Sequence, residues 1–171
     1  MPIENERKYL LNGIHPTIMR NRLVNRNVEY DTLKITQSYI ARDMTRGFVE
    51  RVRSIQHKDE SFQYILTQKI GFGETVHELE HEINKEQYDE YIEFFTMGDT
   101  IHKTRYIIPM HNGTRWEIDS FAGKHAGILV AEMELPTPDT EIIFHPVLGN
   151  PEFLTDVSND KKYKNWYMAG I

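Results

Sequence analysis

Charged residues two positions apart, sorted by sign, recur along the whole of this chain. Glu4 and Glu6 lead to Lys8, Arg51 is followed by Arg53, and Glu78 by Glu80 and Glu82. Lys103 with Arg105, Glu117 with Asp119, and Glu132 with Glu134 continue the series, and Lys69 stands by itself among them. Side chains two apart on a β-strand share one face, roughly 6.5 Å from each other. A solvated sheet face would mix Ser, Thr, Gln, Lys and Glu without such sorting. For any one pair, a cross-strand ion pair on a wet surface is the simpler account. The ordered set argues for more: acidic and basic rails facing a common space suit a polyanion held together with cations. Lysine and arginine grip phosphate oxygens, arginine bidentately, and carboxylates are hard ligands for magnesium or manganese.

These rails need strands to carry them, and the sequence supplies strands. Residues 2–10 alternate and lead to a turn at Asn12-Gly13, after which Pro16 suits a first helical position. Ile18, Met19 and Leu23 make an apolar stripe on a helix of about ten residues. From Lys34 the character is β again, followed by strands over 48–55, 62–70 and 76–83, with Gly71 and Gly73 as punctuation. Asn84 with Gln87 reads as a capping box. The helix it opens carries Tyr88, Tyr91, Ile92, Phe94 and Phe95 as a packing face. Strands return at 103–109, 115–121 and 128–135, the first two joined by a hairpin loop at 111–114. Prolines at 136, 138, 146 and 151 mark irregular chain, and a short helix near the end carries Trp166 and Met168. The sum is about eight strands with two or three helices, an α+β chain. Leu66, Leu79, Ile83, Trp116, Ile118, Met133 and Leu135 fall out of phase with the charges. The sheet is therefore expected to bury an apolar face under helices and to keep the charged face for an enclosed, wet interior, as an antiparallel barrel would.

Composition narrows the classes. With 171 residues, a single domain spanning 1–171 is the default. A net charge of −6 argues against a general nucleic-acid surface and leaves room for a local basic pocket. The absence of cysteine excludes disulfides and thiolate metal sites and fits a reducing cytoplasm. No apolar run reaches the ~20 residues of a membrane span, and the charged N-terminus does not read as a signal peptide. A membrane partner is not expected, and association into a homodimer stays open.

His77-Glu78-Leu79-Glu80-His81 satisfies the zinc-protease pattern His-Glu-x-x-His, whose chemistry needs a helix so that positions four apart share a face. Clean alternation of Val76, Glu78, Glu80 and Glu82 against His77, Leu79, His81 and Ile83 favours a strand, and no supporting third ligand follows. Gly71-Phe72-Gly73 reads as a turn, and Lys161, Lys162 and Lys164 as an exposed helix.

The same residues resemble a known family. Glu4-Asn5-Glu6-Arg7-Lys8-Tyr9-Leu10-Leu11 is similar to the Glu-x-Glu-x-Lys opening of the CYTH superfamily, the triphosphate tunnel metalloenzymes. Gln37-Ser38-Tyr39-Ile40, Arg51-Val52-Arg53, Thr67-Gln68-Lys69, Glu78-Leu79-Glu80 and Lys103-Thr104-Arg105-Tyr106 follow in family order. The resemblance continues through 116–121 and 131–135 to the C-terminal segment 156–165, so it covers almost the whole chain. It implies an eight-stranded antiparallel β-tunnel with helices outside, and a magnesium- or manganese-dependent phosphohydrolase acting on a triphosphate-containing small molecule. Inorganic tripolyphosphate is the expected substrate. An organic or nucleoside triphosphate, cyclisation of ATP in the manner of class IV adenylate cyclases, and binding without turnover are the alternatives. By resemblance Lys8 and Tyr39 form a catalytic pair. Arg51, Arg53, Lys69, Lys103 and Arg105 bind phosphate, and Glu4, Glu6, Glu78, Glu80, Asp119, Glu132 and Glu134 surround the metal. The family often has an arginine two residues before the first glutamate of the Glu78-Leu79-Glu80 strand, and this chain has Val76.

Overall fold

The alternating stretches are strands in the computed structural model, which describes residues 3–72 and 75–171, the side chains at 3, 4, 72 and 75 aside. In chain order these are β1 (Ile3–Glu4), β2 (Glu6–Leu11), β3 (Asp31–Asp43), β4 (Phe48–Gln56), β5 (Phe62–Phe72) and β6 (Thr75–Ile83). They continue as β7 (Met97–Pro109), β8 (Arg115–Phe121), β9 (Leu129–Glu134) and β10 (Leu154–Asp156). The helices are α1 (Pro16–Asn25), α2 (Lys85–Phe95) and the short α3 (Asn165–Met168). All neighbouring strands are antiparallel, in the order β1-β6-β5-β4-β3-β7-β8-β9-β2-β10.

The expected eight-stranded closed barrel therefore needs correcting: the hydrogen-bonded order is open and holds ten strands among the described residues. The reason lies at the N-terminus, where the single expected strand is broken at Asn5. Its first piece, β1, pairs with β6, and its second piece, β2, pairs with β9. One residue thus links the two flanks of the sheet, and the Asn5 carbonyl accepts from Leu135 N–H at 2.7 Å. β10 is the other addition, laid against the far end of β2.

Helices cover the outer face, where the apolar phase of the strands points. Met19 and Leu23 of α1 pack on Trp116, Ile118, Ala131 and Met133 of β8 and β9. The capping box at Asn84 and Gln87 is formed, and α2 rests Tyr88 on Ile40 and Val52. Its expected apolar face is narrower than the sequence reading: Phe94 and Phe95 are exposed, because the helix reaches past the edge of the cluster it covers.

The inner face divides in two. One end is charged. At the other end Tyr39, Ile101, Phe121 and Val130 form an apolar cluster with Met168 and Ala169, so the C-terminal segment packs onto it. No helix among the described residues is long and apolar enough to cross a membrane.

Candidate active site

Strand parity delivers the charged side chains to one cavity of about 590 Å³. Glu6, Lys8, Tyr39, Arg51, Arg53, Lys69, Glu78, Glu80, Lys103, Arg105, Glu132 and Glu134 all line it. These are the candidates from the sequence with two exceptions. Glu4 has a side chain outside those described. Asp119 is fully buried behind the wall, held by Lys103 and Arg105 rather than facing the space. Glu82, the third member of its run, turns instead to Gln63 on β5.

Cross-strand register explains the pairings. Lys8 stands opposite Glu132, and their side chains meet at 2.9 Å. Lys69 stands opposite Glu78, with its Nζ 2.5 Å from Glu78 Oε2. Arg105 stands opposite Asp119 and grips it with Nε and Nη2 at 2.7 and 2.8 Å, while Nη1 reaches Glu117. Arg53 bonds Glu80, which also accepts from Thr67 at 3.0 Å.

Burial and neighbours set the charges. Burial opposes the charge on Lys8, but Glu132 and Glu6 outweigh it and hold the ammonium above the usual lysine range. Glu132 is likewise penalised by burial and yet kept well below the usual carboxylate range by Lys8 and Arg105. Burial and then Arg51 pull Arg53 down to about 10, so it stays charged at neutral pH. Burial raises the Tyr39 hydroxyl, against the charge of Arg51, so it keeps its proton.

Among the described residues no three carboxylate or imidazole groups stand together as a metal cluster. The donor chemistry nevertheless fits a hard divalent cation at one place. Glu6 and Glu134 are register partners, carboxylate opposite carboxylate. Like charges so placed cost stability unless cations offset them; Lys8 and Lys164 stand 3.7 and 3.1 Å from Glu6, and a divalent cation would serve both carboxylates.

No protein-family model matches the chain. An inorganic triphosphatase of Acetivibrio thermocellus is 30% identical over 135 residues, covering 76% of this chain and 82% of the relative. An inorganic triphosphatase of Nitrosomonas europaea is 31% identical over 112 residues, covering 66% and 72%. The chain belongs to the CYTH superfamily. The crystal structure of the inorganic triphosphatase NE1496 superposes with a TM-score of 0.59 over 99% of this chain and 95% of that one, and at 24% identity this likeness speaks to the fold.

Val76, noted in the sequence where the CYTH family pattern often has arginine, lines the cavity. So do Arg115, Ser158, Lys161, Lys164, Asn165 and Trp166. Lys161 and Lys162 are exposed on a short 3-10 helix, Lys161–Tyr163, as expected, but Lys164 just after it is half-buried and turned to the inner face. Lys164 Nζ lies 3.1 Å from Glu6 Oε1, and the Trp166 ring stacks on the Arg42 guanidinium at 4.0 Å. Ser158 Oγ accepts the Lys8 backbone N–H at 2.9 Å. Residues in irregular turns carry no periodic signal; only the family likeness of 156–165 pointed there. The zinc-protease alternative fails on secondary structure. His77 and His81 sit on strand β6 with Glu78 and Glu80 in the opposite phase, so no helical face gathers them.

Proposed function

We propose that the chain is a metal-dependent hydrolase that cleaves the phosphoanhydride bonds of a triphosphate, inorganic tripolyphosphate first among substrates. One observation carries the reading: Arg51, Arg53, Lys69, Lys103 and Arg105 converge with Glu6, Glu132 and Glu134 on one cavity. Both curated relatives being named inorganic triphosphatase supports the choice of substrate. In this reading the N-terminal strand, passing through Asn5 from β6 to β9, completes a tunnel around the phosphates.

Phosphoryl transfer asks for positioning and charge neutralisation more than for covalent chemistry. The arginines and lysines take the phosphate oxygens, Arg53 from β4 and Arg105 from β7, the two strands that flank β3. Lys8 and Tyr39 both hold their protons at neutral pH, so they act as hydrogen-bond donors that orient the reacting groups rather than as bases. Magnesium or manganese, held by Glu6 and Glu134 and by Glu132 beside them, would neutralise phosphate charge and acidify a bound water.

The test is phosphate release from tripolyphosphate, thiamine triphosphate and ATP with magnesium or manganese, with products identified. Turnover of tripolyphosphate is expected. Folded protein that releases phosphate from none of them would refute the reading. Cyclic AMP from ATP would move it to a cyclase, and tight retention without product would make it a binding protein.

A further inference from the structure

Gln37 and Tyr39 project from the same face of β3, and the Gln37 carboxamide donates from Nε2 to the Tyr39 hydroxyl oxygen at 3.0 Å. Gln37 has no exposed surface, and its own Oε1 meets no hydrogen-bond partner. An unsatisfied buried acceptor is a net cost to the fold. Core stability alone therefore gives no reason for an amide here, where a leucine would fill the space. Something else keeps it.

The strand is irregular at this point on both sides. Against β7 the register shifts between Gln37 and Tyr39, and against β4 between Tyr39 and Ala41. Such irregularities re-aim a side chain. Tyr39 is left lining the cavity while Gln37 sits behind it. Arg51 is the register partner of Tyr39 on β4 and lines the cavity beside it. A carboxamide nitrogen can only donate, so the Gln37 bond ends on the phenol oxygen. The hydroxyl's single hydrogen is then directed away from that donor and from the Arg51 cation, toward the cavity.

We infer that Gln37 is a positioning residue that fixes the Tyr39 hydroxyl as a hydrogen-bond donor into the cavity, aimed at a phosphate oxygen. The phosphate rests on the triphosphatase reading; the orientation of Tyr39 does not. A donor fixed before the substrate arrives needs no reorganisation as charge develops, which is where such groups contribute most. Gln37 does this without touching the substrate.

The experiment pairs a direct view of Tyr39 with kinetics on tripolyphosphate. Protein labelled with 13Cζ-tyrosine gives a Tyr39 resonance, assigned by its loss in Tyr39→Phe. Gln37→Leu removes the donor, and Gln37→Glu keeps the shape but turns the donor into an acceptor once the introduced carboxyl ionises. Both should move the Tyr39 resonance. Gln37→Glu should add a limb to the pH profile of kcat, falling about tenfold or more as that carboxyl loses its proton, with KM changed less than about twofold. In the Tyr39→Phe background Gln37→Leu should lower kcat no further. Should Gln37→Leu not fold, Gln37→Met carries the same comparison. If the unaltered protein cleaves no triphosphate, the functional reading fails while the Tyr39 resonance still decides the positioning. An unmoved resonance, or kcat losses that multiply with that of Tyr39→Phe, would overturn the inference.

Discussion

Arg105 holds both oxygens of Asp119 through one guanidinium, and Lys103 Nζ meets Asp119 Oδ2 at 2.5 Å from the other side. Asp119 has no exposed surface. Its carboxylate is thus the shared counter-ion of two cavity-lining cations, and burial's penalty on it is overcome by Arg105 and Lys103, which hold its pKa below the usual range. This is the work of a support, not of a group that meets a metal in the cavity.

Asp119→Ala should accordingly destabilise the fold by about 3–5 kcal/mol, because it strands the buried Lys103 ammonium and leaves Arg105 with only Glu117 and Glu132. Denaturant unfolding without metal measures this. A stability change under about 0.5 kcal/mol, combined with lost manganese binding, would restore Asp119 to the ligand set.

Lys103 sets a pH limit on capture. Burial drives its pKa down to about 8 against the pull of Asp119, with Arg105 adding to the fall. The folded value lies below the unfolded 10.5, so between about 8 and 10.5 the unfolded chain binds the extra proton. This group's contribution to stability therefore rises with pH over that window. Affinity moves the other way, since the cation is lost. KM for tripolyphosphate should climb several-fold from about pH 7.5 to about 9.5, and Lys103→Arg, charged throughout, should flatten the climb. Equal slopes in the two proteins would assign the effect to another group.

The opposed carboxylates of Glu6 and Glu134 predict a trade between stability and metal. Glu134→Gln relieves the cross-strand repulsion and should leave the metal-free protein more stable by about 0.2–1 kcal/mol. Manganese affinity should fall by no less than about tenfold, since even outer partners of a ligand are worth that much. Calorimetric titration and thermal melts on one sample read both. A variant that binds manganese unchanged would remove Glu134 from the site.

The rails were legible because strand parity is local: Arg51 with Arg53, or Glu132 with Glu134, share a face whatever else the chain does. So were α1 and α2, whose starts are marked by Pro16 and by Asn84 with Gln87. Partners across strands were not legible. That Glu6 faces Glu134 depends on a register fixed by contacts between residues far apart in sequence. The break at Asn5 left no mark in the alternation of residues 2–10. Gln37 stood out only as part of the family-like segment 37–40, since its amide carries no charge and matters through its distance to Tyr39. Of the terminal segment, the short helix with Trp166 and Met168 was legible but its seat was not, because it is anchored by Ser158 on Lys8 and by Trp166 on Arg42, contacts without periodicity.

That terminal segment yields the last prediction, through Gly98. Asp99 N–H donates to the Ala169 carbonyl at 2.8 Å, and Gly98 beside it holds φ at +64°. A Cβ at position 98 would overlap the Ala169 carbonyl oxygen and press on Ile171 Cγ2, while the positive φ strains any residue but glycine. Backbone on backbone has no side chain to yield, so Gly98→Ala must lift the C-terminal segment from β7, at a cost of about 1–3 kcal/mol. Hydrogen exchange should then rise at residues 164–171 more than in β7 or β8. Because Lys164 and Trp166 line the cavity, KM for tripolyphosphate should rise with it, by more than kcat falls. Unchanged exchange at the terminus, with KM as before, would mean the segment accommodates the methyl group without leaving its seat and that its wall is not what Gly98 secures.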